Sequence, residues 1–491
     1  MKLAQALTLL LAAPWLSLLP AMGLGAENKL TTSLTAPRLL RTEEPSSTTY
    51  KMTVSPANES KPAMKYRLVR QPLDLRAGNA APYYYRALIL MRPAFSPDDR
   101  YYDEYLTTSN NVAEELAAAE EVLKRAQDVF GELNRASSRS SCEWSFDAAR
   151  LTGTDAITFL LPEVSAIRTI SRLTTLRARV AMHKGDLPAA IEALQINYQT
   201  ARDVAAADLT VNQIVAMAIN NHGSEDLIRL ISCPQAPNLY WAIAELRHNT
   251  INVVPGAKID LLSPFRLFPF LEEVEAPGGT PELWTQRAAE VLSMMSNIDK
   301  GTVGKVDLKT RLLTTTMLAS AYPNAKQRLL DDGMSASKVE TMPTAQVVFI
   351  DSVRAYQELA DDYEKLSYIP FTHFEKYHED LAVRMNEATS LRRPLMRSMM
   401  ITAVDSIHRS HVRMQRMLAA VQTIEAIRMH AARNGNALPT SLHEISCVPV
   451  PKNPATDRPF VYVGNSDTGT LTLPLSDGVA YSNTFELSIA K

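Results

Sequence analysis

Asp405, His408 and His411 are the side chains in this chain best suited to chemistry: one carboxylate and two imidazoles spaced i, i+3, i+6 on a predicted helix. That set suits a divalent metal or a general acid–base pair, so one reading is a metal-assisted or acid–base hydrolase acting on an envelope polymer. A helix turns about 100° per residue, which leaves Asp405 and His411 about 120° apart while each adjacent pair is closer. The competing reading is a solvated polar face, with Arg409 and Arg413 beside it. Phe265, Phe268 and Phe270 form a second candidate, a recognition patch. Pro255, Pro264, Pro269 and Pro277 surround them and restrict how the rings can be buried, with satellite core packing as the alternative.

The remaining chemistry-bearing patterns point away from catalysis. Ser335-Ala336-Ser337-Lys338 matches SxxK but has no KTG or SDN companion, and it follows Asp331-Asp332-Gly333, which reads as a helix start. No dinucleotide, P-loop, zinc-protease, nucleophile-elbow or EF-hand pattern occurs. His373 and His378, five positions apart, fall on different helix faces. Arg392–Arg433 holds eight arginines against only Asp405 and Glu425. Such a helix either meets an acidic partner or packs its aliphatic stems and hydrates its heads; without interleaved aromatics it is no nucleic-acid site. No cofactor is implied.

The elements that must position these residues are helical. Glycine is scarce, 17 in 491 residues, which argues against phosphate-cradling loops and turn-rich all-β folds. A net charge of −2 gives no general attraction to nucleic acid or membrane. Ile167, Ile170, Leu173, Leu176 and Val180 recur at helical spacing, as do Leu187, Ala190, Ile191, Leu194, Tyr198 and Ala201. Between the two sets, Gly185 suits a helix end, Asp186 a helix cap and Pro188 a first turn, so a helical hairpin is predicted. Further helices follow to Asn434. The tail then turns to strand-like runs, Phe460–Val463, Thr470–Pro474 and Thr484–Ile489, separated by turn residues.

Met1–Ala26 has the layout of a secretory signal peptide: Lys2, an apolar run to Leu19, then small residues with cleavage after Ala26 or Gly23. Pro14 and Pro20 shorten the run below a good transmembrane helix, and no later segment reaches the length of a span. Cys142, Cys233 and Cys447 are distant from one another, with no zinc-type spacing, and read as buried free thiols.

Two resemblances add to this. Ala178, Gly185-Asp186, Ala190 and Leu194 make the hairpin similar to a tetratricopeptide unit, although Asn197 and Ala181 depart from that pattern and no 34-residue period continues. Gly78–Ala87, Cys142-Glu143-Trp144, Leu160-Leu161-Pro162, Pro237–Ala242 and Met342–Val348 resemble a family of exported bacterial helical proteins of uncharacterised activity, which implies fold and export only. Ile424–Tyr462 is similar to the globular ends of type II secretion pseudopilins.

The expected molecule is therefore mainly α: an irregular, tetratricopeptide-like array of helical hairpins with a small C-terminal α+β module. The expected divisions are a signal peptide (1–26), an extended linker (27–78), a helical array (79–413) and a helix with a small β tail (414–491). The leading functional expectation is a non-enzymatic scaffold in the periplasm or outside the cell. It would bind an envelope protein or peptide, not nucleic acid, and keep no integral membrane segment once the signal is removed.

Overall fold

Gly185 takes a positive φ of 73° and closes the helix before it with two hydrogen bonds: its N–H reaches Met182 O at 3.0 Å and Asp186 N–H reaches Ala181 O at 2.9 Å. Glycine adopts this left-handed position without a Cβ penalty. The Asp186 carboxylate then accepts from Ala189 N–H at 3.1 Å and caps the next helix, with Pro188 in its first turn. This is the hairpin expected from the sequence. The computed structural model describes residues 40–44, 47–94, 112–144, 151–153, 162–207, 209–249, 251–297, 306, 308–388, 395, 403–474 and 481–490. The signal-peptide stretch Met1–Ala26 lies outside them.

Among the described residues the chain is mainly helical. It begins with β1 (Leu40–Glu44), β2 (Ser47–Val54), β3 (Arg76–Asn79), α1 (Ala81–Ala94), α2 (Val112–Arg125), α3 (Gln127–Ser137) and β4 (Arg139–Ser141). The hairpin is α4 (Pro162–His183) and α5 (Leu187–Ala205), followed by α6 (Thr210–Ile231) and α7 (Tyr240–His248). Then come α8 (Val254–Leu261), α9 (Ser263–Leu267), α10 (Pro281–Asn297), α11 (Leu308–Asp331), α12 (Ala336–Glu340), α13 (Thr344–Leu366) and α14 (Phe371–Ala388). The long α15 (Ala403–Arg433) leads into β5 (Val461–Gly464), β6 (Thr468–Leu473) and β7 (Ser482–Ile489). No described helix is long and apolar enough to cross a membrane.

These elements divide into two compact units. The larger gathers the described residues of Met22–Ser145, Leu161–Val253 and Ile407–Lys491; the smaller gathers those of Phe146–Leu160 and Val254–Ser406. Chain order and unit membership therefore interleave.

The sheet of the larger unit corrects one expectation. Its order is β1-β2-β7-β6-β5, so the segment read as a linker over 27–78 supplies two strands of the C-terminal module. In β2 Thr48, Tyr50, Met52 and Val54 are buried, the period-two signature of a strand with one face in a core. It runs parallel to β7, with Tyr50 opposite Phe485 and the two rings stacked at 5.0 Å. The β7-β6 and β6-β5 pairs are antiparallel hairpins, as the tail's turn residues predict. Those strands share one hydrophobic core with the C-terminal half of α15 and with residues of α4 to α7.

The helices of the larger unit are joined by polar contacts where the tetratricopeptide pattern would place alanine. Asn197 on α5 accepts from Ser171 at 2.7 Å and Thr174 at 3.1 Å on α4, and donates to Ile219 O at 3.0 Å on α6. Gly223 lets α6 approach, since a Cβ there would lie 2.6 Å from Asn197 Nδ2. A buried ion pair joins α4 to α6, Arg179 Nε donating to Asp226 Oδ1 at 2.8 Å.

Near the end of α15, Glu425 and Arg428 form a fully buried ion pair in which Nη1 donates to both carboxylate oxygens at 2.9 Å. The rest of the guanidinium binds backbone from two other regions. Nε donates to Ser55 O at 2.9 Å, Nη2 to Ala236 O at 2.7 Å and Nη1 to Pro237 O at 3.3 Å. Burial pushes the Glu425 carboxyl up, and the adjacent Arg428 charge and the Leu239 N–H pull it back. Removing one partner of such a pair leaves an uncompensated charge in the core and here also orphans three carbonyls.

In the smaller unit, α13 is the central helix: Val347, Val348, Phe349 and Ile350 are all buried in a core shared with α10 and α11. Arg328 on α11 grips Asp351 on α13 through Nε and Nη2 at 2.6 and 2.7 Å.

Arg428→Met should therefore destabilise the larger unit by about 3–5 kcal/mol in denaturant unfolding. Lys51→Ala, which breaks the half-exposed Lys51–Glu486 pair between β2 and β7, should cost less than about 1 kcal/mol. Equal effects from the two substitutions would contradict this reading of Arg428.

Candidate functional site

The start of α7 is set by Asn238, whose Oδ1 accepts from Tyr240 N–H at 3.1 Å while its Nδ2 donates to Glu425 O at 2.9 Å. From there, Tyr240, Ala244, Arg247 and His248 recur at helical spacing on one side of α7. On α15, His408, His411, Gln415, Gln422 and Glu425 lie within an arc of about 100° at about 100° per residue. Between the two helices is a cavity of about 140 Å³ lined by Ala244, Arg247, His248, Gln415 and Gln422.

Its polar groups are oriented by a short chain of hydrogen bonds. Arg247 Nη1 donates to Gln422 Oε1 at 2.6 Å, and Gln422 also bonds the Tyr240 hydroxyl, which in turn donates to Pro449 O. Arg247 Nε is buried and has no acceptor, and among the described residues no carboxylate pairs with this guanidinium. The nearby Glu245 is engaged elsewhere, accepting from Arg67 at 2.8 Å and Gln71 at 2.9 Å. Desolvation lowers the Arg247 pKa, yet from so high a starting value that the group stays charged.

His411 sits one turn from the cavity, its Nε2 3.5 Å from Gln415 Nε2. Burial pushes its pKa down to about 4, and the neighbouring His408 adds to this, while a hydrogen bond to Ile251 O opposes it. It is therefore a neutral imidazole at pH 7. Of the predicted trio, the structure brings His408 and His411 together. The side chain of Asp405 lies outside the described residues. Among the described residues no three His, Cys, Asp or Glu side chains are placed to hold a metal.

The other predicted residues are placed as follows. Phe268 is buried, and Phe265 and Phe270 are half-buried against the core of the smaller unit. Phe265 meets Tyr356 at 6.0 Å, and Phe270 meets Phe349 at 5.5 Å with Arg287 over its face. Ser335 accepts from Lys338 N–H at 3.3 Å and caps α12, the helix start its setting predicts. The eight-arginine stretch does not present a uniform basic face: Arg416 and Arg428 are buried, and Arg416 Nη1 and Nη2 donate to the carbonyls of Tyr481 and Pro474.

The polar chemistry that sequence reasoning missed is in the larger unit. Gln415 and Gln422 continue the stripe of His408 and His411 by seven-residue steps, a signal present in the spacing. A second buried cluster surrounds Asp203 on α5, which accepts from Tyr84 at 2.6 Å and Gln199 at 2.9 Å, while Trp144 donates to its backbone carbonyl at 2.6 Å. Burial raises the Asp203 pKa to about 7 against those hydrogen bonds. The cluster is a buried hydrogen-bond node. Cys142 nearby is an inert thiol, its pKa raised by burial and by Asp203.

Compared with known proteins, the chain matches no family model, no curated protein and no solved structure.

Asp203 gives a pH prediction. Its folded pKa of about 7 exceeds the ordinary 3.8, so its contribution to stability is fully present below about pH 4 and is lost as pH rises through 7. Asp203→Asn should gain stability relative to the parent between pH 4 and pH 8, by up to about 4 kcal/mol at about 1.4 per pKa unit. A difference that stays constant over that range would show that Asp203 does not titrate in this way.

Proposed function

We propose that this chain is a non-enzymatic, exported scaffold, an irregular array of tetratricopeptide-like helical hairpins whose larger unit engages an envelope protein or peptide. The observation that carries the reading is Arg247: a half-buried cation lining a polar cavity with no carboxylate partner among the described residues. A partly buried charge without a counter-ion has lost some hydration, and a partner group that enters the cavity offsets that loss. The cavity's size supports an anchor point over a whole substrate site. At about 140 Å³ it is well below the roughly 300–1,000 Å³ of pockets that enclose a small molecule. Its lining offers amides, a guanidinium and the exposed His248, without a nucleophile or a carboxylate. The hydrolase reading draws on the neutral imidazole of His411 beside His408, with the Asp405 side chain outside the described residues. Export rests on the signal-peptide layout of Met1–Ala26 and on the resemblance to exported helical proteins.

A photo-crosslinking residue in place of His248, at the cavity rim, tests this in living cells. The expected result is a discrete crosslinked adduct in the envelope fraction, absent when the same residue replaces Lys184 at the exposed hairpin end. Retention of the protein in the cytoplasm, or identical adducts from both positions, would overturn the proposal.

A further inference from the structure

We propose that the surface around β3, β4 and the end of α3 docks on an anionic lipid membrane. Arg70, Arg76, Arg86, Arg135 and Arg139 would face the headgroups, and Leu73 would enter the interface. The inference goes beyond the scaffold reading and does not depend on the cavity between α7 and α15. The five arginines come from three stretches of sequence, and contacts link each to the next. Arg70 Nη2 donates to Asn134 Oδ1 at 2.8 Å, on the residue beside Arg135 in α3. Arg135 and Arg86 both reach Glu132 Oε1, at 2.7 and 3.0 Å. The Tyr83 ring lies 6.0 Å from the Arg86 guanidinium and 4.6 Å from that of Arg139. Arg139 is in turn the register partner of Arg76 across β4 and β3.

The acids do not balance this group. Among the described residues Glu132 is the one carboxylate that pairs with any of the five; it is buried, whereas Arg86 and Arg135 are each 58% exposed. The nearest further carboxylates in the chain are the exposed Asp74 and Glu143, so five cations stand against three acids. The net charge of −2 conceals this local excess. Beside it stands an apolar tip. Asp74 N–H donates to Gln71 O at 2.9 Å and Leu75 N–H to Pro72 O at 3.3 Å, closing a tight turn. The turn is tied down before and after, by Gln71 Nε2 on Glu245 Oε1 at 2.9 Å and by Arg76 N–H on Ser138 O at 2.8 Å. It leaves Leu73, midway between Arg70 and Arg76, 99% exposed, the highest value of any large apolar side chain among the described residues. Guanidiniums suit lipid phosphates, and an aliphatic side chain between them suits the boundary with the acyl chains. An acidic soluble protein would also attract the arginines, but it would need a pocket shaped for Leu73; a bilayer interface needs none.

Co-sedimentation of the full chain with vesicles of phosphatidylglycerol and phosphatidylcholine in equal parts, and of phosphatidylcholine alone, tests the proposal. Phosphatidylglycerol should raise the affinity at about 0.1 M salt, and about 1 M salt should remove that gain. Arg76→Gln combined with Arg135→Gln changes two exposed side chains and leaves Glu132 paired with Arg86. The pair should weaken binding to the anionic vesicles about 25-fold, at about fivefold per cation. Arg76→Lys combined with Arg135→Lys, which keeps the charge, should restore most of it. Lys51→Gln combined with Lys452→Gln removes the same charge from exposed positions outside the patch and should have little effect. Leu73→Ser should weaken binding about tenfold, the low end for burying a leucine, since the side chain reaches only the interface. Met1–Ala26 is common to every variant, so these differences report the patch. No gain from phosphatidylglycerol, equal losses from the two glutamine pairs, or unchanged binding by Leu73→Ser would overturn the proposal.

Discussion

The buried contact between Arg428 and Glu425 is the constraint on which the larger unit depends. A guanidinium without water needs its charge balanced and its N–H groups accepted, and those acceptors come from three separate parts of the chain. Glu425 supplies the charge from the same helix; Ser55 supplies a carbonyl just beyond β2; Ala236 and Pro237 supply carbonyls ahead of α7. Asn238 repeats the arrangement, donating to both Ala57 O and Glu425 O while accepting from Tyr240 N–H at the start of α7. Ala57 N–H closes the set by donating to Arg428 O at 3.2 Å. Hydrophobic burial supplies most of the driving force, but it is nondirectional; these bonds say which segment lies where.

The cavity follows from the same contact. Gln422 lies one turn before Glu425 on α15, and Tyr240 follows Asn238 directly at the start of α7. Fixing Asn238 against Glu425 therefore sets the register in which Tyr240 and Arg247 meet Gln422. Arg416 and Arg428 donate to backbone carbonyls, whereas Arg247 donates to Gln422 and lines a cavity.

Much of the fold was legible because it is local. Gly185, Asp186 and Pro188 each have a conformational preference that acts within one turn, and the tail hairpins are announced by their turn residues. The alternation of Thr48, Tyr50, Met52 and Val54 was also present, but the Thr-, Ser- and Pro-rich setting masked it. The pairing of β2 with β7 had no local trace at all: Thr53 and Ser488 touch across 435 positions. The same limit applies to the site. His408 and His411 drew attention through residue type, yet the groups that line the cavity are Gln415, Gln422 and Arg247, common residues whose role depends on which helix α15 meets. Asn197, a departure from the repeat pattern in sequence, is the clamp that joins three helices.

If Arg428 unites these regions, then β2, β7 and the C-terminal half of α15 open together. Native-state hydrogen exchange across the full chain measures this most directly. The slowest amides of Ser47–Val54, Ser482–Ile489 and the α15 segment around Leu418–Met429 should exchange through one opening, with a common free energy and a common denaturant slope. Rapid exchange of the β2 amides while those of β7 and α15 stay protected would mean that the N-terminal strand is an accessory to the larger unit and not part of its cooperative core.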